Sequence, residues 1–307
     1  MTTVIKAATT TTAPADEAAS AVLLAGRAAQ DCLTEARLSP EAVGVLINVG
    51  VYRENNTFEP AIGAMVQKEA GMNLDYLAHP VPGAAAFSFD LMNGACGVLN
   101  AIQVAQALLT TGSTERVLVT AADVHPSGRA ALDADYPYAD LGAALLLERS
   151  AQSEGGFGRV QLAGSQSASA VAGYLPTAGM GSTGRGRITV RQDEGFAEQL
   201  LDLAAGTTLE YAKAEGIDLH RTLVVSSRPT PDFGTHLAAR LGLPAFLVLT
   251  PEVPQGRTGL PHTAAPILGY LQALEQGLPA DVDQFLFVAA GAGPSVACVS
   301  YRPQEGS

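Results

Sequence analysis

At 307 residues and 47% hydrophobic content, the chain can build two ordinary domains or one large α/β unit around a full core. Thirty acidic against eighteen basic residues give a formal charge of -12, a surface that repels nucleic acid and anionic membranes, so neither is expected as a partner. The three cysteines, Cys32, Cys96 and Cys298, are too few and too far apart for a disulfide framework or a zinc site. They suit a reducing cytoplasm, and no leader or run of about 18 apolar residues argues for export or membrane insertion.

Thr3 to Thr10 reads as a strand and Asp16 to Ala36 as an amphipathic helix with Asp16 as N-cap. Val43 to Val49 is a β-branched apolar run of the kind found in a buried parallel strand. A helix over Pro60 to Ala70 and a strand over Ala86 to Asp90 follow. From Cys96 to Leu109 the only polar side chains are Asn100, Gln103 and Gln106, one stripe of a helix whose other sides are expected to be buried. Val117 to Ala122 and Gly142 to Glu148 close this half with two strands.

The second half repeats the plan. Arg159 to Gly164 is a strand, Phe196 to Ala214 a helix, Thr222 to Ser226 a strand, Gly234 to Leu241 a helix, Ala245 to Leu249 a strand and Ala264 to Glu275 a helix. Strands over Phe285 to Ala290 and Ser295 to Tyr301 end it, as Val117 to Ala122 and Gly142 to Glu148 end the first, which points to an internal duplication. The polar linker Ser150 to Gly156 divides residues 1–150, carrying Cys96, from residues 151–307, carrying a glycine-rich closing loop. Gly173 to Arg187 is rich in glycine but lacks the lysine and the strand-loop-helix context of a phosphate loop, and reads as a mobile connection.

Cys96 is the residue on which chemistry centres. It sits after a strand at the first turn of a helix, where the positive end of the helix dipole favours a thiolate and hence a nucleophile. A buried cysteine can instead serve as a small apolar side chain, the reading that fits Cys32 and Cys298.

Three features together resemble the thiolase fold: the duplicated halves, the run Asn93-Gly94-Ala95-Cys96-Gly97, and the closing loop Gly291-Ala292-Gly293-Pro294-Ser295. Within that fold the chain is similar to the 3-oxoacyl-carrier-protein synthase III branch and its acyltransferase relatives, a likeness that extends to Leu241-Gly242-Leu243-Pro244. The resemblance implies an α/β protein of two duplicated αβαβαββ halves in five layers, α-β-α-β-α. It implies an acyl group parked on the sulfur of Cys96, with the backbone N–H groups of Cys96, Ala292 and Gly293 as oxyanion hole. Ser227 and Gly291 would then line the substrate site, and no metal or cofactor beyond the donor's pantetheine arm is expected.

Departures from the family pattern shape the expected reaction. The family's catalytic histidine falls on Ser227 and its asparagine on Pro261, so neither helper of malonyl decarboxylation is in place. His262, one residue on, is the leading candidate base, or else a helix N-terminal histidine; His125 is the second candidate base. Asp232, five residues after Ser227, is either the acidic member of the site or a helix cap before Gly234. The aromatic and basic segment that grips coenzyme A in the family is missing between the first strand and helix, and the chain has no tryptophan. The resulting expectation is an acyltransferase that takes an acyl group from a carrier protein or acyl-CoA onto Cys96 and passes it to a non-malonyl acceptor in specialised biosynthesis. A variant synthase making C–C bonds and a non-catalytic subunit of a heterodimer are the alternatives. A homodimer paired through the strand before the Cys96 helix is the default assembly.

Overall fold

The computed structural model describes residues 2–14, 17–57, 59–72, 86–166, 170–175, 177–291 and 293–304. In chain order the first half is β1 (Thr2–Thr11), α1 (Ala21–Glu35), β2 (Val45–Asn48), α2 (Ile62–Glu69), β3 (Phe87–Asp90), α3 (Gly97–Thr110), β4 (Arg116–Asp123) and β5 (Leu141–Ser150). The second is β6 (Gly156–Phe157), β7 (Gln161–Gly164), β8 (Val171–Tyr174), α4 (Met180–Thr183), β9 (Thr189–Gln192), α5 (Phe196–Glu215), β10 (Thr222–Ser226), α6 (Phe233–Leu241), β11 (Val248–Leu249), α7 (Ala265–Gln276), β12 (Gln284–Gly291) and β13 (Ser295–Arg302).

The two halves build the same sheet. Strand order is β3-β2-β4-β5-β1 in one and β11-β10-β12-β13 in the other, with β6 and β7 both pairing β13 where β1 pairs β5. The directions agree as well: β2 runs parallel to β3 and β4, as β10 does to β11 and β12, and the strands beyond are antiparallel. Parallel strands covered on both faces are largely apolar, and Val45–Asn48 and Thr222–Ser226 are buried at every position, with the polar ends Asn48 and Thr222 bonded to Asp90 (2.8 Å) and to the Asp218 carbonyl (2.8 Å).

α3 and α7 lie between the sheets, each in contact with strands of both, while α1 and α2 cover the outer face of the first sheet and α5 and α6 that of the second. This gives the five layers. The central helices are accordingly the most apolar: α3 buries Val98, Leu99, Ala101, Ile102, Ala105 and Leu109. Its polar stripe is used rather than merely solvated, since Asn100 is buried against Asn93 (2.7 Å) and Gln106 donates to the Gly158 carbonyl (2.9 Å).

Several boundaries differ from the sequence reading. α1 starts at Ala21, not Asp16, because Ser20 in extended conformation caps it, its hydroxyl accepting the Leu23 N–H (3.3 Å) while the Glu54 carboxylate takes the Ala21 N–H (2.8 Å). Asp16 lies outside the described residues. Part of the stretch read as a mobile connection is a hairpin, β8 with β9, whose cross-strand partners run from Val171 with Gln192 to Tyr174 with Thr189. β3 forms an edge of the first sheet and leaves Phe87 54% exposed.

Candidate active site

β4 and α7 meet at their ends, and there the fold joins residues far apart in sequence. Asp123, the last residue of β4, is buried, and its carboxylate accepts five hydrogen bonds. Oδ1 takes the N–H groups of Val51 (2.9 Å) and Tyr52 (2.8 Å). Oδ2 takes the Thr263 N–H (2.9 Å), the Thr263 hydroxyl (2.6 Å) and Nδ1 of His262 (3.0 Å). Burial opposes the charge, but the His262 imidazole and these donors outweigh it and hold the Asp123 carboxyl well below the usual carboxylate range.

An anionic acceptor at Nδ1 fixes the proton of the neutral ring there and leaves Nε2 of His262 with a free lone pair. Tyr138 stacks on the imidazole with ring centroids 4.2 Å apart, and the Tyr52 ring centroid sits 5.4 Å away. Nε2 faces the backbone of Gly94, where an added Cβ would lie 3.5 Å from it. Gly94 has φ +50°, a conformation that costs glycine little, so the turn before α3 can press against the ring.

His262 opens into a cavity of about 30 Å³, lined also by Ala95, Tyr138, Ser227, Pro261 and Gly291, with Val171 and Gln192 of the hairpin over it. This space holds a water or two and no acyl chain. Arg228 also lines it, its guanidinium reaching Glu252 (3.0 Å) and the Pro251 carbonyl (3.3 Å).

Cys96 does not line this cavity. The thiol is 0% exposed and packs in the core between the sheets, its Sγ directed at the carbonyls of Ala289 (3.4 Å) and Ser295 (3.6 Å). Burial pushes it up to about 11, the opposite of the low value expected at a helix start; the Ser295 hydroxyl only partly offsets this. The correction has a geometric cause. Gly94–Cys96 is a tight 3-10 turn, in which successive side chains diverge by about 120°. It is therefore Ala95 that looks into the cavity, and its Cβ would stand 3.0 Å from a Cβ at Gly291.

The expected oxyanion hole is changed in the same way. The Cys96 N–H donates to the Asn93 carbonyl (3.0 Å) inside the turn and is not presented to a substrate. Gly293 is an exposed turn residue with φ +65°, and Ala292 lies outside the described residues. Gly291 does line the cavity, as does Ser227, but the Ser227 hydroxyl is already engaged, donating to the Ala290 carbonyl (3.0 Å) and accepting the Ala290 N–H (2.8 Å).

The remaining two candidates lie elsewhere. Asp232 is exposed at the start of α6, makes no side-chain cap bond and does not line the His262 cavity. His125 is buried two residues beyond Asp123 but belongs to a different cavity, bonded to Ser127 and Asp133. Sequence reasoning missed Asp123, Tyr138 and Ala95; the available signal for Asp123 was a carboxylate ending an otherwise apolar strand. Among the described residues no three His, Cys, Asp or Glu side chains group as a metal site, and no helix is long and apolar enough to cross a membrane.

Neither a protein-family model nor a curated sequence matches the chain. Solved structures do. A 3-oxoacyl-(acyl carrier protein) synthase III from Pseudomonas aeruginosa superposes with TM-score 0.76 at 18% identity, covering 99% of both chains. A variant of OleA from Xanthomonas campestris gives TM-score 0.78 at 14% identity, again over 99% of both. The chain has the thiolase fold. The β-ketoacyl-[acyl carrier protein] synthase III of Thermus thermophilus shares it at TM-score 0.73 and 21% identity, over 95% of this chain and 87% of that one. On this fold the central feature of the site is the buried His262–Asp123 pair beside a cavity lined by Ala95.

Proposed function

We propose that this thiolase-fold protein acts on acyl thioesters by direct transfer, with His262 as general base and no acyl group on Cys96. The observation that carries the reading is the buried His262–Asp123 pair, whose histidine lines a cavity together with Ala95 and with no thiol among its lining residues. An acceptor would give its proton to Nε2, bond to the thioester carbonyl carbon, and displace the thiolate, which takes the proton back from the imidazolium. The donor is a carrier-protein or coenzyme A thioester; an OleA structure with the same fold holds lauroyl-CoA. The protein works as a homodimer through the open edge of β3, in the reducing interior of the cell, in a biosynthetic pathway.

The assay is thioester turnover and intact mass with a panel of acyl donors, on the native chain, His262→Ala and Cys96→Ala. Turnover lost in His262→Ala and kept in Cys96→Ala supports direct transfer. An acyl increment that disappears in Cys96→Ala overturns it and restores the covalent route, and decarboxylation of a malonyl donor would favour a C–C bond-forming synthase. A second reading, a non-catalytic subunit of a heterodimer, is favoured by the 30 Å³ cavity, which has no room for an acyl chain as it stands. No turnover from the chain alone, with activity appearing only when a second ketosynthase-like subunit is added, selects that reading.

A further inference from the structure

Beyond the His262 cavity, the loop after β4 builds a second arrangement of reactive groups. Ser127 Oγ lies 2.7 Å from Nδ1 of His125, and Nε2 of the same ring lies 3.1 Å from Oδ2 of Asp133. The backbone N–H of Ser127 also points at Nδ1 (3.1 Å). A nitrogen that receives an N–H is an acceptor, so the ring proton sits on Nε2 and is donated to the Asp133 carboxylate. Nδ1 is then a base aimed at the Ser127 hydroxyl, the order serine, histidine, aspartate that activates a nucleophilic serine.

The ring is held rigidly. His125 is buried, with the edge of Tyr136 against its ring at 4.9 Å between centroids, and its backbone N–H donates to Asp140 Oδ1 (2.7 Å), whose other oxygen takes the Ala130 N–H (2.9 Å). Ser127, by contrast, is exposed. The next residue, Gly128, has φ +71° and approaches Ala19 so closely that a Cβ would lie 2.7 Å from its carbonyl oxygen. Only glycine fits there, and the tight turn it permits turns Ser127 outward while His125 stays inside.

Ser127, His125 and Asp133 line a cavity of about 430 Å³, closed on the far side by Gly186 to Thr189. That is within the range of small-molecule sites. Arg187 lines it too, and its guanidinium makes no hydrogen bond or ion pair among the described residues, leaving it available to a developing oxyanion.

We propose that Ser127, His125 and Asp133 form a second active site, a serine esterase for small acyl esters or thioesters, independent of the His262 cavity. Ser127 Oγ bonds to the carbonyl carbon as its proton passes to Nδ1 of His125. The bond to the leaving alcohol or thiol breaks, and the leaving group takes that proton. Water then repeats the sequence on the acyl-serine, releasing the acid and restoring the hydroxyl. Ser127 and His125 are the catalytic residues, and Asp133 is a positioning residue acting through His125.

The test uses the full purified chain with a fluorophosphonate probe and with p-nitrophenyl acetate. The expected result is one phosphonyl group, found on the peptide bearing Ser127, absent in Ser127→Ala and formed about 100-fold more slowly in His125→Asn. Asp133→Asn lowers acetate ester hydrolysis and Asp133→Glu recovers part of it, which a purely structural aspartate would not give. Cys96→Ala labels at the native rate, which removes a thiol as the source of ester cleavage. Ser127 is exposed, so Ser127→Ala is expected to melt at the native temperature; should it not, Ser127→Cys, which restores a nucleophile, takes an alkylating probe at position 127. No label at Ser127, or ester hydrolysis unchanged in Ser127→Ala, overturns the proposal.

Discussion

Two histidines within one region of the fold show how differently the same side chain is employed. His262 is tethered through Nδ1 to a fully buried aspartate and lines a cavity of about 30 Å³ into which no thiol projects. His125 is tethered through Nε2 to a partly exposed aspartate and offers Nδ1 to an exposed serine in a cavity of about 430 Å³. The anchor of one lies beside the other in sequence, since Asp123, which holds His262, and His125 flank Val124. An aspartate-oriented imidazole thus specifies a base; the group that faces its free nitrogen specifies what the base does.

The largest expected effect separates the two aspartates. Asp123→Ala removes the acceptor of five hydrogen bonds in a dry site and should cost about 3–5 kcal/mol of unfolding free energy, while Asp133→Ala, partly in water, should cost about 1 kcal/mol or less. Chemical denaturation of both variants checks this. Because the folded Asp123 carboxyl lies below its unfolded value, near 3.8, its contribution is present above that pH and is lost as pH falls further, so the native chain should lose stability on acidification below about pH 4 and Asp123→Ala much less.

Next in size is activity at the smaller cavity, where His262→Ala should lower thioester turnover by about 10² to 10⁴-fold and leave fluorophosphonate labelling of Ser127 in place. Equal loss of both activities would erase the distinction between the sites. The comparison is sharpened by supplying what the first site lacks: Ala95→Cys puts a thiol opposite His262, and acyl thioesters should then give a mass increment on residue 95. The native Cys96 thiol, pushed up to about 11, stays protonated until pH approaches that value, so iodoacetamide at pH 8 should modify it far more slowly than Ala95→Cys. Smallest of all on activity at the His262 cavity, Ser20→Ala should destabilise by about 1 kcal/mol through the lost cap of α1, as read by chemical denaturation.

Much of the fold was legible because it rests on local pattern. Val45–Asn48 and Thr222–Ser226 announce themselves as buried parallel strands, and the matching strand pairs at the end of each half reveal the duplication. Helix starts were less legible, since Asp16 and Ser20 are both capping residues and the choice falls to Glu54, far along the chain, which meets the helix at Ala21. The hairpin of β8 and β9 was missed because its strands have four residues each, separated by a glycine-rich stretch that resembles any surface loop. At the candidate site His262 was picked out by proximity to a family position, whereas Cys96 was read as the nucleophile from its place at a helix start, and the turn sends it into the core.

The sequence by itself determined the layered α/β plan, its repeat, the apolar central helices and the neighbourhood in which chemistry would be found. Only the tertiary structure decided which of two adjacent residues, Ala95 or Cys96, meets His262, that Asp123 holds that histidine from 139 positions away, and that Ser127 and Asp133 close on opposite nitrogens of His125. The physical reason is one of range. Hydrophobic periodicity is set by the backbone repeat and survives a reading along the chain, but the direction of a side chain in a tight turn changes by about 120° with each residue. Partners that fix a proton are brought together only when the sheets and helices pack.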